Sequence, residues 1–333
     1  MPGGVRSASL TGYADVARRA GLDPVGMLRE FGLPPRCLES PEMRIPVDAV
    51  RRLIEASAER SGLEGFGLLM AEARRLSNLG PLGLLVREQP TLRLAVEAFV
   101  RHGRRLNDAL FLTLEDTGNV VVLREELIVG RTGPVRQSTE LAIGVAYRTL
   151  CALLGPQWRP RRVCFAHAAP RDGSVHARLF GRGVVEFGHD FNGIVCMGRD
   201  LDLPNPGADA GIADMAHTML DSSAVDGEFD ITMRVRDLVV QTLGSGRCTV
   251  EQVAEQLGVD RRTIHRRLAR EGTTFSDVVD SVRSELAVRY LANDRMSLGD
   301  IASLLGFAAA SSFSRWYRAT FESSPSSSRR AVR

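Results

Sequence analysis

One pattern in the last hundred residues constrains this 333-residue chain more than any other: a short motif occurs twice, 48 positions apart. In the first copy Thr249 precedes a helical stretch and Gln252 holds its third position. Val250, Val253, Ala254 and Leu257 recur at i, i+3, i+4 and i+7, and Gly258 follows. The hydroxyl and the glutamine three residues on predict a capping box. The apolar spacing is that of one buried helix face, and the glycine accepts the left-handed backbone that ends it. In the second copy Ser297, Asp300, Leu298, Ile301, Ala302, Leu305 and Gly306 take the same places.

A turn and a second helix follow each glycine. These helices are Arg261–Glu271, with Ile264 and Leu268 facing a core, and Ala310–Phe321, with Phe313 and Tyr317. The offset there is 49, so the second turn is one residue longer. A small residue inside the first helix, a glycine in the turn and a thin apolar stripe on the second helix make a helix-turn-helix. Such a unit lays its second helix in the DNA major groove. Between the copies Phe275, Val278, Val279, Val282, Leu286 and Tyr290 predict one helix over Phe275–Ala292. Its length is about 27 Å at 1.5 Å per residue. A rod of that size sets two recognition helices roughly 34 Å apart, one turn of B-DNA, so a single chain would read two adjacent groove segments. The charge agrees. Asp230–Arg333 holds 16 Arg against 12 acidic residues, a net +4, while the rest of the chain carries −1.

Leu203-Pro204-Asn205-Pro206-Gly207 interrupts regular structure, a helix is expected across Ile212–Leu220, and Asp221–Gly227 reads as polar linker. The expected organisation is an effector and dimerisation domain over 1–204, a linker over 205–228 and a DNA-binding domain over 229–333. In the first domain Asp23-Pro24 starts a helix to Phe31, Val47–Arg60 carries the stripe Val47, Val50, Leu53, Ile54 and Ala58, and Thr91 caps a helix expected to turn Leu94, Ala95, Ala98 and Phe99 inward. Ala109–Leu114 and Val120–Leu127 alternate as a hairpin, Ser138–Leu154 is an apolar helix, and Arg162–Ala166, Val184–Phe187 and Gly193–Met197 are strand candidates around a short helix, Val175–Phe180. The fold class expected is an α+β N-terminal effector domain plus an all-α C-terminal domain with two helix-turn-helix motifs.

Hydrophobic residues at 44% and charged residues at 25% suit a chain that buries a core. No apolar run approaches the roughly 18 residues of a membrane span, and no signal-peptide core follows Met1, so a cytoplasmic protein is expected. The five cysteines, Cys37, Cys151, Cys164, Cys196 and Cys248, are widely spaced without a CxxC, which argues against disulfides and a zinc ribbon.

The C-terminal unit resembles the DNA-binding domain of the AraC/XylS family of bacterial transcription regulators. The resemblance rests on Asp260-Arg261-Arg262-Thr263-Ile264-His265-Arg266-Arg267-Leu268, on Ser297–Phe307, and on Ser311-Ser312-Phe313-Ser314-Arg315-Trp316-Tyr317-Arg318 with Ser324-Pro325 after it. Two positions depart: Glu322 stands where the family usually has Gly, and Ser328 where a Tyr before Arg is common. The N-terminal region is similar to the branch with an arabinose-binding-type domain, through Arg44-Ile45-Pro46, Leu79-Gly80-Pro81-Leu82-Gly83, Pro90–Ala95, Phe165–Pro170, Phe180-Gly181 and Val185-Glu186-Phe187. That branch is linked to different small effectors, including amino acids and fatty acids.

On the first recognition helix Arg262, His265 and Arg266 are the expected base readers, because Arg bonds guanine O6 and N7 bidentately. Arg261 and Arg267 are expected on phosphates, which position without specifying. On the second helix Ser311, Ser314 and Arg315 offer polar reach, and this head reads as chemically poorer. Cys164 and His167, with His189 and Cys196 after them, suggest an alternative redox- or metal-sensing regulator, although a spacing of three on a strand puts the first two on opposite faces. An effector-independent DNA-binding protein is the other alternative; about 200 residues before the linker are more than DNA bending requires. No Walker loop, HExxH or GxSxG occurs, and no cysteine has the Pro-Cys-His-Arg setting of alkyl-transfer repair proteins, so no enzyme activity is expected. The expected partners are promoter double-stranded DNA, a small-molecule effector, a second copy of the chain and RNA polymerase. No cofactor, metal or membrane is expected.

Overall fold

The computed structural model describes residues 4–127, 133–155, 157–222, 231–245, 248–291 and 296–331, and the chain falls into two units, Met1–Asp221 and Ser222–Arg333. The first unit opens with a two-stranded antiparallel ribbon, β1 (Gly4–Arg6) with β2 (Arg44–Pro46). Helices α1 (Tyr13–Arg19), α2 (Pro24–Glu30), α3 (Val47–Ser61) and α4 (Phe66–Glu72) gather beside it. The Asp23 carboxylate accepts the Val25 N–H at 3.0 Å, and Pro24 takes the first helical position, where its missing N–H costs nothing. The stripe of α3 is buried as spaced: Val47, Val50, Leu53, Ile54 and Ala58 all enter one core with Tyr13, Leu28 and Phe66.

Next come α5 (Pro81–Arg87) and α6 (Leu92–His102), the latter capped by the Thr91 hydroxyl on the Leu94 N–H. Of the expected stripe, Ala95 and Phe99 are buried and Ala98 is partly buried against the same core, while Leu94 is not. Leu94 is 41% exposed, and Leu92 and Val96 complete the buried face of α6. Two residues turn a helix by about 200°, so Leu94 points away from the face that Leu92 starts.

The second core lies on a five-stranded sheet. Its strands are β3 (Leu110–Asp116), β4 (Val120–Leu127), β5 (Arg162–Phe165), β6 (Val185–Phe187) and β7 (Asn192–Met197), in the order β3-β4-β7-β5-β6. Only β5 and β6 are parallel, and the crossover that parallel pairing requires contains α8 (Ser174–Phe180). Between β4 and β5, α7 (Arg136–Leu154) lays Ile143, Ala146, Tyr147 and Leu150 against Val121, Leu123 and Ile194 of the sheet. Helices α4 and α7 pack at backbone distance: a methyl on Gly67 would lie 2.1 Å from the Gln137 carbonyl oxygen. After β7 come α9 (Gly198–Leu201) and α10 (Ala210–Ser222). The linker expected over 205–228 contains α10, whose Ala216 and Leu220 are buried in the sheet-side core. An amphipathic helix with an apolar face completes a core rather than spanning solvent.

The second unit is helical: α11 (Ile231–Thr242), α12 (Val250–Gln256), α13 (Arg261–Arg270), α14 (Phe275–Leu291), α15 (Leu298–Leu304), α16 (Ala310–Phe321) and α17 (Pro325–Ala331). The two caps differ. Ser297 and Asp300 form the full reciprocal box, at 3.1 and 3.0 Å. Thr249 accepts the Gln252 N–H at 3.3 Å, yet Gln252 turns its amide inward, where Oε1 is buried with no partner among the described residues. Gly258 and Gly306 close α12 and α15 with φ of 65° and 73°. Glu322 closes α16 with φ of 55°, the one non-glycine residue in the left-handed region among the described residues.

Candidate nucleic-acid interface

Ile264 and Leu268 bury one side of α13 completely. At 100° per residue the opposite side is centred on Arg266, with Arg262 and Arg270 one turn away in either direction and Arg267 and His265 on the flanks. All five are exposed, and none of the four arginines joins an ion pair among the described residues. Arg261 differs: it holds Glu251 of α12 at 3.3 Å, an exposed pair that leaves it free to exchange partners. Asp260 caps α13 through the Thr263 N–H at 2.7 Å, and these hydrogen bonds hold its carboxyl below the usual range. The charge at the helix start therefore persists at neutral pH, and the cationic row begins two residues later, at Arg262.

On α16, Phe313 and Tyr317 face inward and Arg315 stands opposite, with Ser311 and Arg318 beside it and all three exposed. Ser314 is half-buried on the flank. Ala309 precedes the helix with no side-chain cap. Packing supplies what capping does not. Phe307, Phe313, Trp316, Tyr317 and Phe321 form a continuous set of ring contacts, and Arg283 of α14 lies over the Phe307 ring at 4.6 Å while donating to the Leu305 carbonyl at 3.1 Å.

Sequence reasoning missed Arg270 and Arg318. Both were legible, since Arg270 lies four residues after Arg266 and Arg318 three after Arg315, the spacings that share a helix face.

The structure does not bring Cys164 to His167. The β5 strand ends at Phe165, and the chain beyond it carries His167 to the buried Glu140 carboxylate at 3.4 Å, which His176 approaches at 3.2 Å and Arg136 at 3.1 Å. Burial pushes the His167 imidazole below its ordinary pKa. Cys164 meets Glu186 and His189 instead, with candidate ligand atoms within 4.8 Å of one another. Burial, with Glu186 adding to it, pushes that thiol up to about 11, and Glu186 is already paired with Arg162. A thiol held in its protonated form is a poor metal ligand and a poor nucleophile.

A cavity of about 120 Å³ opens between the two cores of the first unit. Its walls come from β1, α3, β3, β4 and α7, with Arg6, Arg51, Arg74 and Arg75 among the lining residues.

The N-terminal family described as the arabinose-binding domain of AraC transcription regulators matches residues 21–205, and a helix-turn-helix family matches residues 253–331. This chain belongs to the AraC/XylS family of transcription regulators. The HTH-type transcriptional regulator VirS of Mycobacterium tuberculosis is 32% identical over 96% of this chain and 95% of its own. The ornithine utilization regulator of Pseudomonas aeruginosa is 26% identical over 95% and 94%. Among solved structures, the transcriptional regulator CdpR from Pseudomonas aeruginosa is 21% identical, covering 95% of this chain and 98% of its own with a TM-score of 0.44. No helix among the described residues of this AraC/XylS regulator is long and apolar enough to cross a membrane.

Proposed function

We propose that this regulator reads promoter DNA with α13 and α16 and that a small molecule in the N-terminal cavity changes that binding. The observation that carries the DNA reading is the row Arg262, Arg266 and Arg270, exposed and unpaired on the face opposite Ile264 and Leu268. Arg262, His265 and Arg266 are proposed to reach base edges; Arg261, Arg267 and Arg270 are proposed to grip phosphates. Ser311, Ser314 and Arg315 read from the second head, with Arg318 on the backbone. The proposed effector module runs through α10, and the DNA-binding module occupies 229–333. A second copy of the chain and RNA polymerase are further proposed partners, on the family resemblance alone. Cytoplasmic action without enzyme activity is part of the same proposal.

The test is binding of the full chain to the DNA upstream of its own gene, against a shuffled duplex, at two salt concentrations. A preference of about 10³ or more is expected at the higher salt. Equal binding to both duplexes, with the same salt slope, would leave only a non-specific cationic surface. An effector-independent protein would show the same promoter affinity in extracts from every growth condition.

A further inference from the structure

The outer face of the five-stranded sheet holds a cluster of donor atoms that the regulatory reading above leaves unused. Val163 and Phe165 of β5 are buried in the sheet-side core, so Cys164 between them points to the other face. The parallel register sets Glu186 of β6 beside Cys164, and Gly193, its neighbour on β7, adds no side chain. His189 enters from the turn after β6, where its backbone N–H donates to the Phe165 carbonyl at 2.9 Å. The thiol, a Glu186 carboxylate oxygen and an imidazole nitrogen thus lie within 4.8 Å of one another. Backbone hydrogen bonds between three chain segments hold them there.

The neighbours of each donor favour a metal ion. The Arg162 guanidinium pairs with Glu186 through Oε1, which leaves Oε2 toward the His189 Nε2 at 4.0 Å, beyond hydrogen-bond reach. Asp190 meets the other imidazole nitrogen, Nδ1, and a carboxylate there keeps the proton on Nδ1 and the lone pair on Nε2. Metal-binding histidines ordinarily carry such an outer carboxylate. With the thiol ionised, Cys164, Glu186 and Asp190 set three negative charges against one positive charge from Arg162, while the nearby Arg124 is paired with Glu115. A divalent cation balances the remainder. The thiol alone is a poor ligand, because burial and then the Glu186 charge keep it protonated. A cation on Glu186 and His189 reverses the second cause, and the proton leaves for solvent as the metal–sulfur bond forms. Tetrahedral zinc, with bonds of about 2.0–2.3 Å, sets its donors about 3.3–3.6 Å apart, so closure asks less than roughly 1.5 Å of the half-buried Glu186 and His189 side chains. Thiolate and imidazole suit zinc, whereas magnesium and calcium take oxygen donors.

We propose that Cys164, Glu186 and His189 form a site for a borderline divalent cation, zinc foremost, with Asp190 positioning His189 and the fourth place open to water. The site staples β6, a three-residue edge strand, to β5 and to the turn before β7. None of its residues lines the cavity between the two cores, and the proposal does not rest on the effector reading.

The untagged full chain, reduced and freed of metal, is titrated with cobalt(II) chloride and then with zinc chloride. Cobalt should bind saturably, one ion per chain, and give a thiolate-to-cobalt charge-transfer band that zinc bleaches by displacement. Magnesium and calcium chlorides should neither give the band nor bleach it. Cys164→Ser should remove the band although Cys37, Cys151, Cys196 and Cys248 remain, and should weaken zinc binding at least tenfold. His189→Gln should weaken zinc binding to the same extent; its half-buried ring can be replaced without emptying the core, so it tests the site apart from any folding loss in Cys164→Ser. Asp190→Asn should weaken zinc about tenfold and keep the band, as loss of an outer partner does. Cys196→Ser, on the core face of β7, should leave band and affinity unchanged. A band that survives Cys164→Ser, undiminished zinc affinity in His189→Gln, or no saturable binding of either ion overturns the proposal. Cobalt bound without a charge-transfer band overturns it as well, since that marks an adventitious ion only.

Discussion

Helix α13 presents Arg262, Arg266 and Arg270 along one exposed line above two buried aliphatic side chains, whereas α16 presents Arg315 and Arg318 above a set of aromatic rings. The first helix is started by a charged cap, Asp260; the second has none and is held by Phe313, Tyr317 and the Arg283–Phe307 contact. Two copies of one skeleton have thus placed their stabilising interactions differently. Where the exposed face is crowded with cations that repel one another, a local cap secures the helix end. Where the exposed face is sparse, the buried face does the holding. The account assigns base discrimination chiefly to the first head and placement on the duplex chiefly to the second.

The largest test of that contrast is Phe313→Ala. Removing a fully buried ring should cost about 3–5 kcal/mol and melt the second head, read as a lowered denaturation midpoint of the C-terminal unit. If the loss were under about 1 kcal/mol, the aromatic set would not be what holds α16. Next in size is Arg283→Met, which keeps an unbranched stem but removes the cation over Phe307 and the bond to the Leu305 carbonyl. A loss of about 1–2 kcal/mol is expected, with weaker promoter binding and unchanged base preference under α13. A changed preference at first-head positions would mean the heads are not separable. The smallest effect is a gain: Glu322→Gly should stabilise the unit by about 1 kcal/mol, because the left-handed backbone there suits glycine. A loss in thermal denaturation would show that the Glu322 side chain contributes more than its backbone costs.

The repeat was legible because caps, apolar spacing and glycine all act over a few residues. Thr249 and Ser297 each cap the helix they precede, and Gly258 and Gly306 take the φ their positions require. The departure at Glu322 was legible too, as a residue where the family has glycine, and the structure gives it the one backbone conformation that explains glycine there. What was not legible is assembled from distant parts of the chain. The cavity joins Val5 to Val145, and Arg74 becomes a buried cation only because the turn at Ala8-Ser9 folds over it. The pairing of His167 and His176 with Glu140 depends on α7 crossing behind the sheet, which no local spacing encodes. Leu94 failed for a local reason: Leu92, two residues earlier, starts the face that Ala95 and Phe99 share.

The account stands most directly on one measurement: binding of Arg266→Ala and Arg315→Ala to a library of operator variants at two salt concentrations. Arg266→Ala should cost about 1–3 kcal/mol and flatten the preference at one base position, as loss of a bidentate base contact does. Arg315→Ala should weaken binding with a smaller change in preference. If Arg315→Ala erases sequence preference while Arg266→Ala leaves it intact, the second head is the main reader and the division of labour drawn here is reversed.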